Sequence, residues 1–367
     1  MRARTAMALL ASGAAAVAAK RALARRVERS PLWPLPALDE PVSGTMGQRR
    51  TGPSRARVLT VLDRAEPADG VVRLRLGGAG TLPSWQPGAH VDLVLPSGLV
   101  RQYSLCGDPG EADTYTIATR LTEDSRGGSR EVHEVLREGV QVEVRGPRNR
   151  FPLVEAPAYL FVAGGIGITP VLPMVRAAEA AGTPWRLLYG GRTRASMPFL
   201  DELAELDGLD GGAGRVTVVP QDEAGHPDLA GALAGIPPEA AVYCCGPEPL
   251  MDAVTALPAP RGGVHLERFS AARTPSPSGD DREFEAELRR SGGTVTVPAG
   301  TPALAAIRAA YPDTPYSCEQ GFCGTCQTGV LEGEVDHRDE LLTDAERDTS
   351  MLLCVSRARG KRVVLDL

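Results

Sequence analysis

Tyr316, Ser317, Cys318, Glu319, Gln320, Gly321, Phe322, Cys323, Gly324, Thr325, Cys326 is the stretch from which the rest of the chain can be read. Three cysteines follow the spacing C-x4-C-x2-C, and Cys354 comes after a 27-residue gap. This three-plus-one layout is the ligand spacing of a plant-type 2Fe-2S centre. Cys318, Cys323, Cys326 and Cys354 are therefore the expected metal ligands. Such a centre needs backbone N–H groups turned toward its sulfurs, and Gly321 and Gly324 permit the wrapping that this requires. The alternative is a zinc site with four cysteine ligands, but zinc normally takes two short C-x2-4-C pairs. The spacing favours the cluster.

The loop is similar to that of the plant-type ferredoxin domain, and the residues around it resemble its β-grasp fold. Phe284 to Leu288 and Thr294 to Val297 read as a hairpin, and Ala303 to Ala310 as a helix. Leu304 and Ile307 share one helical face, with Tyr311 a turn further on.

The chain has 367 residues, room for two or three domains, and its 43% apolar and 4% aromatic content is ordinary for a globular protein. The formal charge of −6 hides a split: residues 1–30 carry a net +6 and the remainder −12. An acidic body argues against nucleic acid as the partner. Seven cysteines, four of them assigned to the cluster, do not suggest a disulfide framework, and the pattern fits a reducing compartment. Cys244 and Cys245 are consecutive in an apparent strand, so their side chains should point to opposite faces.

Thr5 to Ala19 is an uncharged, alanine-rich run of 15 residues between basic flanks. It is short for a membrane-spanning helix. A disordered extension, a membrane-surface helix within residues 1–30 and a targeting signal all stay open. Pro31, Pro34, Pro36 and Pro41 mark a linker.

From about Arg57, short alternating segments suggest a small antiparallel barrel: Val58 to Leu62, Val71 to Leu76, His90 to Leu95, Gln102 to Cys106, Thr114 to Thr119 and Val140 to Val144. Arg101, Tyr103 and Ser104 place a cation, an aromatic ring and a hydroxyl on one strand, with Arg101 and Tyr103 on the same face. Arg126, Gly127, Gly128 and Ser129 precede a helical pattern through Val132 to Leu136, where free N–H groups form an anion site. Together with Pro87, Gly88, Ala89 and His90, these residues resemble the flavin-binding barrel of the ferredoxin-NADP reductase superfamily. The resemblance implies that Arg101, Tyr103 and Ser104 contact the flavin, with Gly127, Gly128 and Ser129 near its phosphate.

Tyr159 to Ala163 is an apolar run ending in Gly164, Gly165, Ile166, Gly167, Ile168, Thr169, Pro170, followed by apolar residues at helical spacing. Thr169 suits an N-cap and Pro170 a first helical residue. Strand, glycine turn and helix together can present N–H groups to a dinucleotide pyrophosphate, although the turn is not G-x-G-x-x-G. Arg186 to Tyr189, Arg215 to Val219 and Ala241 to Cys245 then read as strands, alternating with helical patterns at Pro198 to Leu206 and Glu248 to Leu257. That alternation implies a doubly wound, mostly parallel sheet. Cys245, Gly246 and Pro247 lie at a strand end and resemble the Cys-Gly-Pro segment that approaches the nicotinamide in the same superfamily; with Ser104, Cys245 is the candidate catalytic residue. Arg192 and Arg194 could accept a 2′-phosphate, which leans toward NADPH, while the family resemblance leans toward NADH.

Ser270 to Asp281 reads as a linker. The expected fold is multidomain α+β: an N-terminal extension (1–54), a flavin-binding β-barrel (55–153), a Rossmann-like NAD-binding domain (154–269), a linker (270–282) and a β-grasp ferredoxin domain (283–367). This order resembles the phthalate dioxygenase reductase type, which includes the vanillate demethylase reductases. It implies FMN rather than FAD, electron flow from NADH through the flavin to the cluster, and delivery to a separate oxygenase or other acceptor protein. The expected location is the cytoplasm. The acidic segment 332–348 beside the cluster is a candidate docking face, against the alternative of an ordinary solvated surface. Two other readings stand: a reductase with FAD serving a cytochrome P450, and a zinc-stabilised interaction protein without redox activity.

Overall fold

The computed structural model describes residues 56–122, 127–208, 214–269, 281–339 and 341–367. The expectations for the N-terminal extension, for Arg126, for most of the linker and for Glu340 fall outside the described residues.

The first sheet contains β1 (Arg57–Ala68), β2 (Val71–Gly77), β3 (Ala89–Val94), β4 (Val100–Ser104), β5 (Thr114–Arg120) and β6 (Gln141–Asn149), in the order β4-β3-β6-β1-β2-β5. Period-2 patterning builds it. On β2, Leu74 and Leu76 are fully buried, while Arg73 and Arg75 turn outward to Asp63 and Glu111. A bridge between Leu105 and Ile117 joins the two edges and closes the barrel. The helix Gly128–Val135 packs Val132 into the barrel core, followed by Leu136.

The second sheet is fully parallel. It holds β7 (Tyr159–Gly164), β8 (Trp185–Gly191), β9 (Val216–Pro220), β10 (Ala241–Cys245) and β11 (Val264–Glu267), in the order β11-β10-β7-β8-β9. Every residue of β7 and β10 is buried, as central strands covered on both faces must be. Cys244 and Cys245 do face opposite ways, into the cores on the two sides of the sheet. β11 is an edge strand that the hydrophobic pattern does not announce, because three of its four residues are only half buried. The helix after β7 also departs from expectation. It runs Ile168–Ala180 with Gly167 at its N-cap position, so Thr169 is already helical. The Thr169 hydroxyl donates backward to the Ile166 carbonyl at 2.9 Å and caps no N–H group. A 3-10 turn over Gly165–Gly167 winds the chain before Thr169 is reached.

The third sheet joins β12 (Phe284–Leu288), β13 (Gly293–Val297), β14 (Gln327–Glu332), β16 (Ser350–Leu352) and β18 (Arg362–Leu365), in the order β13-β12-β18-β14-β16; β15 (Val335–Asp336) pairs separately with β17 (Arg357–Ala358). The helix Ala303–Ala310 buries Leu304 and Ile307 in this module's core, beside Phe284 and Val363, with Tyr311 packed at the edge.

Candidate functional site

In an open parallel sheet, ligands bind outside the carboxyl ends of the strands where the connection order reverses. Here that point lies between β7 and β10. Two glycine segments meet there. A Cβ on Gly167 would lie 2.2 Å from the Cys245 carbonyl oxygen, and one on Gly164 would lie 2.6 Å from Pro247 Cδ. Glycine lets the two turns touch, and Gly165, at φ 56°, supplies the left-handed step between them. Gly164, Gly165 and Gly167 thus meet Cys245, Gly246 and Pro247 at one crevice, while Thr169, 2% exposed, is buried in the helix that follows. The Cys245 side chain is fully buried, and that burial, with Glu267 and Cys244 adding to it, holds its thiol well above the ordinary range. Its carbonyl makes the close contact with Gly167.

Glu267, a residue the sequence reading passes over, stands opposite Cys245 across the β10–β11 ladder. Burial raises its carboxyl to about 8, against the pull of a hydrogen bond with Ser104. Glu267 Oε2 has no hydrogen-bond partner among the described residues. A carboxyl that keeps its proton at neutral pH therefore sits where the barrel's Ser104 meets the end of the parallel sheet. Only strand register could have revealed it, since in sequence it is a lone acid at the end of a short histidine-containing edge strand, just before an arginine.

On the barrel, Arg101 crosses the start of the helix Gly128–Val135. A Cβ on Gly128 would lie 2.6 Å from Arg101 Nε. Gly127 takes φ 86° at the N-cap position, and the Ser129 hydroxyl lies 3.1 Å from that of Thr122. Tyr103 is half buried against the barrel core, and burial pushes its phenol up to about 12. Arg101, Gly127, Gly128 and Ser129 form one corner, while Ser104 turns toward the crevice.

Of the two arginines considered for a 2′-phosphate, Arg194 is already held by Glu223, at 2.7 and 3.1 Å. The Arg192 carbonyl accepts from the Asp222 N–H at 3.2 Å.

The four cysteines of the third module are all buried, at 4 or 5% exposure. Their sulfurs contact in sequence, Cys323 to Cys318, Cys318 to Cys354 and Cys354 to Cys326. Among the described residues no group of three or more Cys, His, Asp or Glu side chains is placed to hold a single metal ion. Glu319, Gly321 and Gly324 take φ values of 56°, 81° and 73°, which turn the Gln320 N–H onto Cys318 Sγ at 3.3 Å and the Thr325 N–H onto Cys323 Sγ at 3.5 Å. A Cβ on Gly321 would meet Val355 at 2.8 Å, and one on Gly324 would meet Leu341 at 2.8 Å. Four thiols with inward N–H donors in a loop too tight for side chains suit a 2Fe-2S cluster, which would be held by Cys318, Cys323, Cys326 and Cys354.

Much of the acidic segment that follows is already engaged. Glu332 pairs with Arg289 at 3.3 Å, Asp336 with Arg338 at 2.7 Å and Glu346 with the barrel's Arg150 at 3.0 Å. Asp339 is buried and accepts the Leu342 N–H at 2.8 Å. Glu334, Asp344 and Asp348 remain exposed.

Residues 286–359 match the family described as the 2Fe-2S iron-sulfur cluster binding domain, and residues 161–256 match the oxidoreductase NAD-binding domain. The chain is 43% identical over 301 residues to the phenoxybenzoate dioxygenase subunit beta of Ectopseudomonas oleovorans, covering 80% of this chain and 91% of that one. Among solved structures, it is 36% identical to phthalate dioxygenase reductase, described as modular for electron transfer from pyridine nucleotides to 2Fe-2S. The TM-score is 0.61, over 85% of this chain and 98% of that one. It is 41% identical, with a TM-score of 0.76, to part of an intact type IV self-sufficient cytochrome P450 monooxygenase. That match covers 85% of this chain but spans only 41% of that longer protein.

Proposed function

This chain belongs to the phthalate dioxygenase reductase family, and from that premise we propose that it is the NADH-dependent reductase of an oxygenase system, passing electrons through FMN to a 2Fe-2S cluster and on to a separate oxygenase. The observation that carries this reading is the coexistence, in one chain, of a nicotinamide-type crevice, a barrel corner with Arg101 over a glycine helix start, and a four-cysteine loop seated against that barrel. When bound, the flavin would accept a hydride and release its electrons singly, a conversion that a nicotinamide and an iron-sulfur cluster cannot make directly.

The chain's own residues have separate tasks. Arg101, Gly127, Gly128 and Ser129 would hold the flavin phosphate, and Tyr103 would offer an aromatic face to its ring system. Gly164, Gly165, Gly167 and Thr169 would hold the pyrophosphate, and Cys245, Gly246 and Pro247 would lie near the nicotinamide. Ser104 and the protonated Glu267, both buried, would hold a proton at the place where the barrel meets the sheet end and where flavin and nicotinamide would come together. Glu223 pairs with Arg194, one of the two arginines that could meet a 2′-phosphate, and this exposed pair leans weakly toward NADH.

The oxygenase would dock on the exposed acids beside the cluster, Glu334, Asp344 and Asp348, rather than on the whole 332–348 segment. We place the protein in the cytoplasm, where NADH is available. No helix among the described residues is long and apolar enough to cross a membrane. Attachment through residues 1–30 would appear as a move from membrane to soluble fraction on deleting residues 1–50.

A second reading has its own support. The likeness to the P450 monooxygenase makes a cytochrome P450 the alternative acceptor. An anaerobic visible spectrum of the purified chain, titrated with NADH and followed by identification of the released flavin and metal, tests the proposal. Flavin and iron-sulfur bands that both bleach are expected. A colourless, zinc-containing preparation would overturn it.

A further inference from the structure

Asp92 on β3 is almost completely enclosed, with a side chain 1% exposed, and Arg148 on β6 is its ion-pair partner. The same guanidinium nitrogen, Nη2, lies 3.1 Å from the Thr325 hydroxyl in the cysteine loop of the third module. Thr325 Oγ1 in turn lies 3.3 Å from Cys323 Sγ. Four groups from two modules therefore stand in line: a barrel carboxylate, a barrel guanidinium, a loop hydroxyl and a ligand sulfur.

The directions of these hydrogen bonds are forced. A guanidinium donates and never accepts, and Nη2 carries two hydrogens, one for Asp92 and one for Thr325. The hydroxyl oxygen must accept from Arg148, which leaves its own proton for the remaining neighbour, Cys323 Sγ. As a metal ligand that sulfur is a thiolate and can only accept. Because Asp92 balances the guanidinium, little net charge reaches the sulfur. What does reach it is an oriented O–H, added to the Thr325 N–H already aimed there at 3.5 Å.

Resting on the reading that these cysteines hold a 2Fe-2S cluster, we propose that Asp92, Arg148 and Thr325 form a relay that crosses from the barrel to Cys323 and raises the reduction potential of the bound cluster. Hydrogen bonds to the sulfurs are one of the terms that set such potentials, and a donor stabilises the more negative, reduced form. The relay is complete only while the cysteine module is seated on the barrel. Arg148 and Thr325 are positioning residues: seating the module is itself what makes the cluster the better electron acceptor.

The test uses the full-length, cofactor-loaded chain. Iron and sulfide content and the paramagnetic signal of the reduced protein come first; their absence in the unaltered chain would overturn the functional reading itself. Redox titration then compares Thr325→Val, Thr325→Ser, Arg148→Gln and the Arg148→Gln/Thr325→Val pair. The relay predicts that Thr325→Val lowers the cluster potential and that Thr325→Ser does not. Arg148→Gln should lower it clearly more when Thr325 is present than in the Thr325→Val background, where only the unbalanced Asp92 charge is left to act. In the two Thr325 variants the flavin potential should stay in place. An unchanged cluster potential in Thr325→Val overturns the proposal, as does an equal effect of Arg148→Gln in both backgrounds. If Arg148→Gln strands the Asp92 charge and the chain fails to fold, the two Thr325 variants decide alone.

Discussion

The barrel has two joints, built on different physics. Toward the parallel sheet the joint is part apolar and tightly bonded: Val71, Cys106 and Ala118 of the barrel pack with Ile166 and Phe199. Arg176 donates to the carbonyls of Cys106 and Gly107 at 2.9 and 2.7 Å, and Gly88 is so closely apposed to the carbonyl of Phe151, whose ring packs in the core of the parallel sheet, that a Cβ there would lie 1.8 Å away. Toward the cysteine module no apolar core is shared among the described residues. Contact runs through Arg148 to Thr325, Arg150 to Gln327 and Glu346, and the Tyr316 hydroxyl to the Gly98 carbonyl at 3.2 Å. Hydride transfer needs donor and acceptor held in one geometry, and an apolar, close-packed joint supplies it. Single electrons tolerate distance and movement, and a module that must also meet a partner is served by a polar, separable joint.

Four outcomes would break or sharpen this contrast. The largest effect is expected from Cys323→Ser, which should abolish the cluster and reduce acceptor-protein turnover to background, while NADH-dependent dye reduction by the other two modules continues. Loss of both activities would show that the joints are not independent. Next, Gly167→Ala should force the Cys245 carbonyl away and destabilise the sheet end by roughly 1–3 kcal/mol. It should raise the KM for NADH and lower the Tm of the first two modules while leaving the iron-sulfur spectrum intact.

Arg150→Glu, facing Glu346, should weaken seating of the cysteine module by on the order of 1 kcal/mol, since both side chains are about a third exposed. Stopped-flow measurement should show slower flavin-to-cluster transfer with unchanged flavin reduction. Raising salt toward 1 M, where the screening length falls to about 3 Å, should reproduce it. The last outcome concerns the pH slope of stability set by Glu267. Its carboxyl keeps its proton to about pH 8 in the folded chain, whereas the ordinary value is 4.5. Between these values the folded state binds more protons than the unfolded state, so stability falls as pH rises through that window. Denaturant titrations across it should show the slope flattened in Glu267→Gln.

The cysteine spacing, the glycine turn after β7 and the Arg101 strand were legible because each is a local demand: ligand separation, backbone freedom and strand alternation act over a few residues. Thr169 was misplaced at the helix start because a 3-10 turn cannot be told from a cap by residue type. β11 escaped because an edge strand only half covered has no distinctive pattern, and Glu267 escaped with it. Arg148 lies beyond the expected strand Val140 to Val144, in the part of β6 that runs on to Asn149, and its meaning comes from Thr325, 177 residues away.

The amino-acid order by itself determined which chemistries the chain carries, because thiolates, glycine turns and cation-aromatic strands are properties of short segments. The tertiary structure alone decided how they are coupled. It set a protonated acid beside Ser104, committed Arg194 to Glu223, and ran a barrel arginine to the hydroxyl beside a ligand sulfur. Those relations depend on register and on module docking, which arise from long-range packing and leave no periodic trace in the sequence.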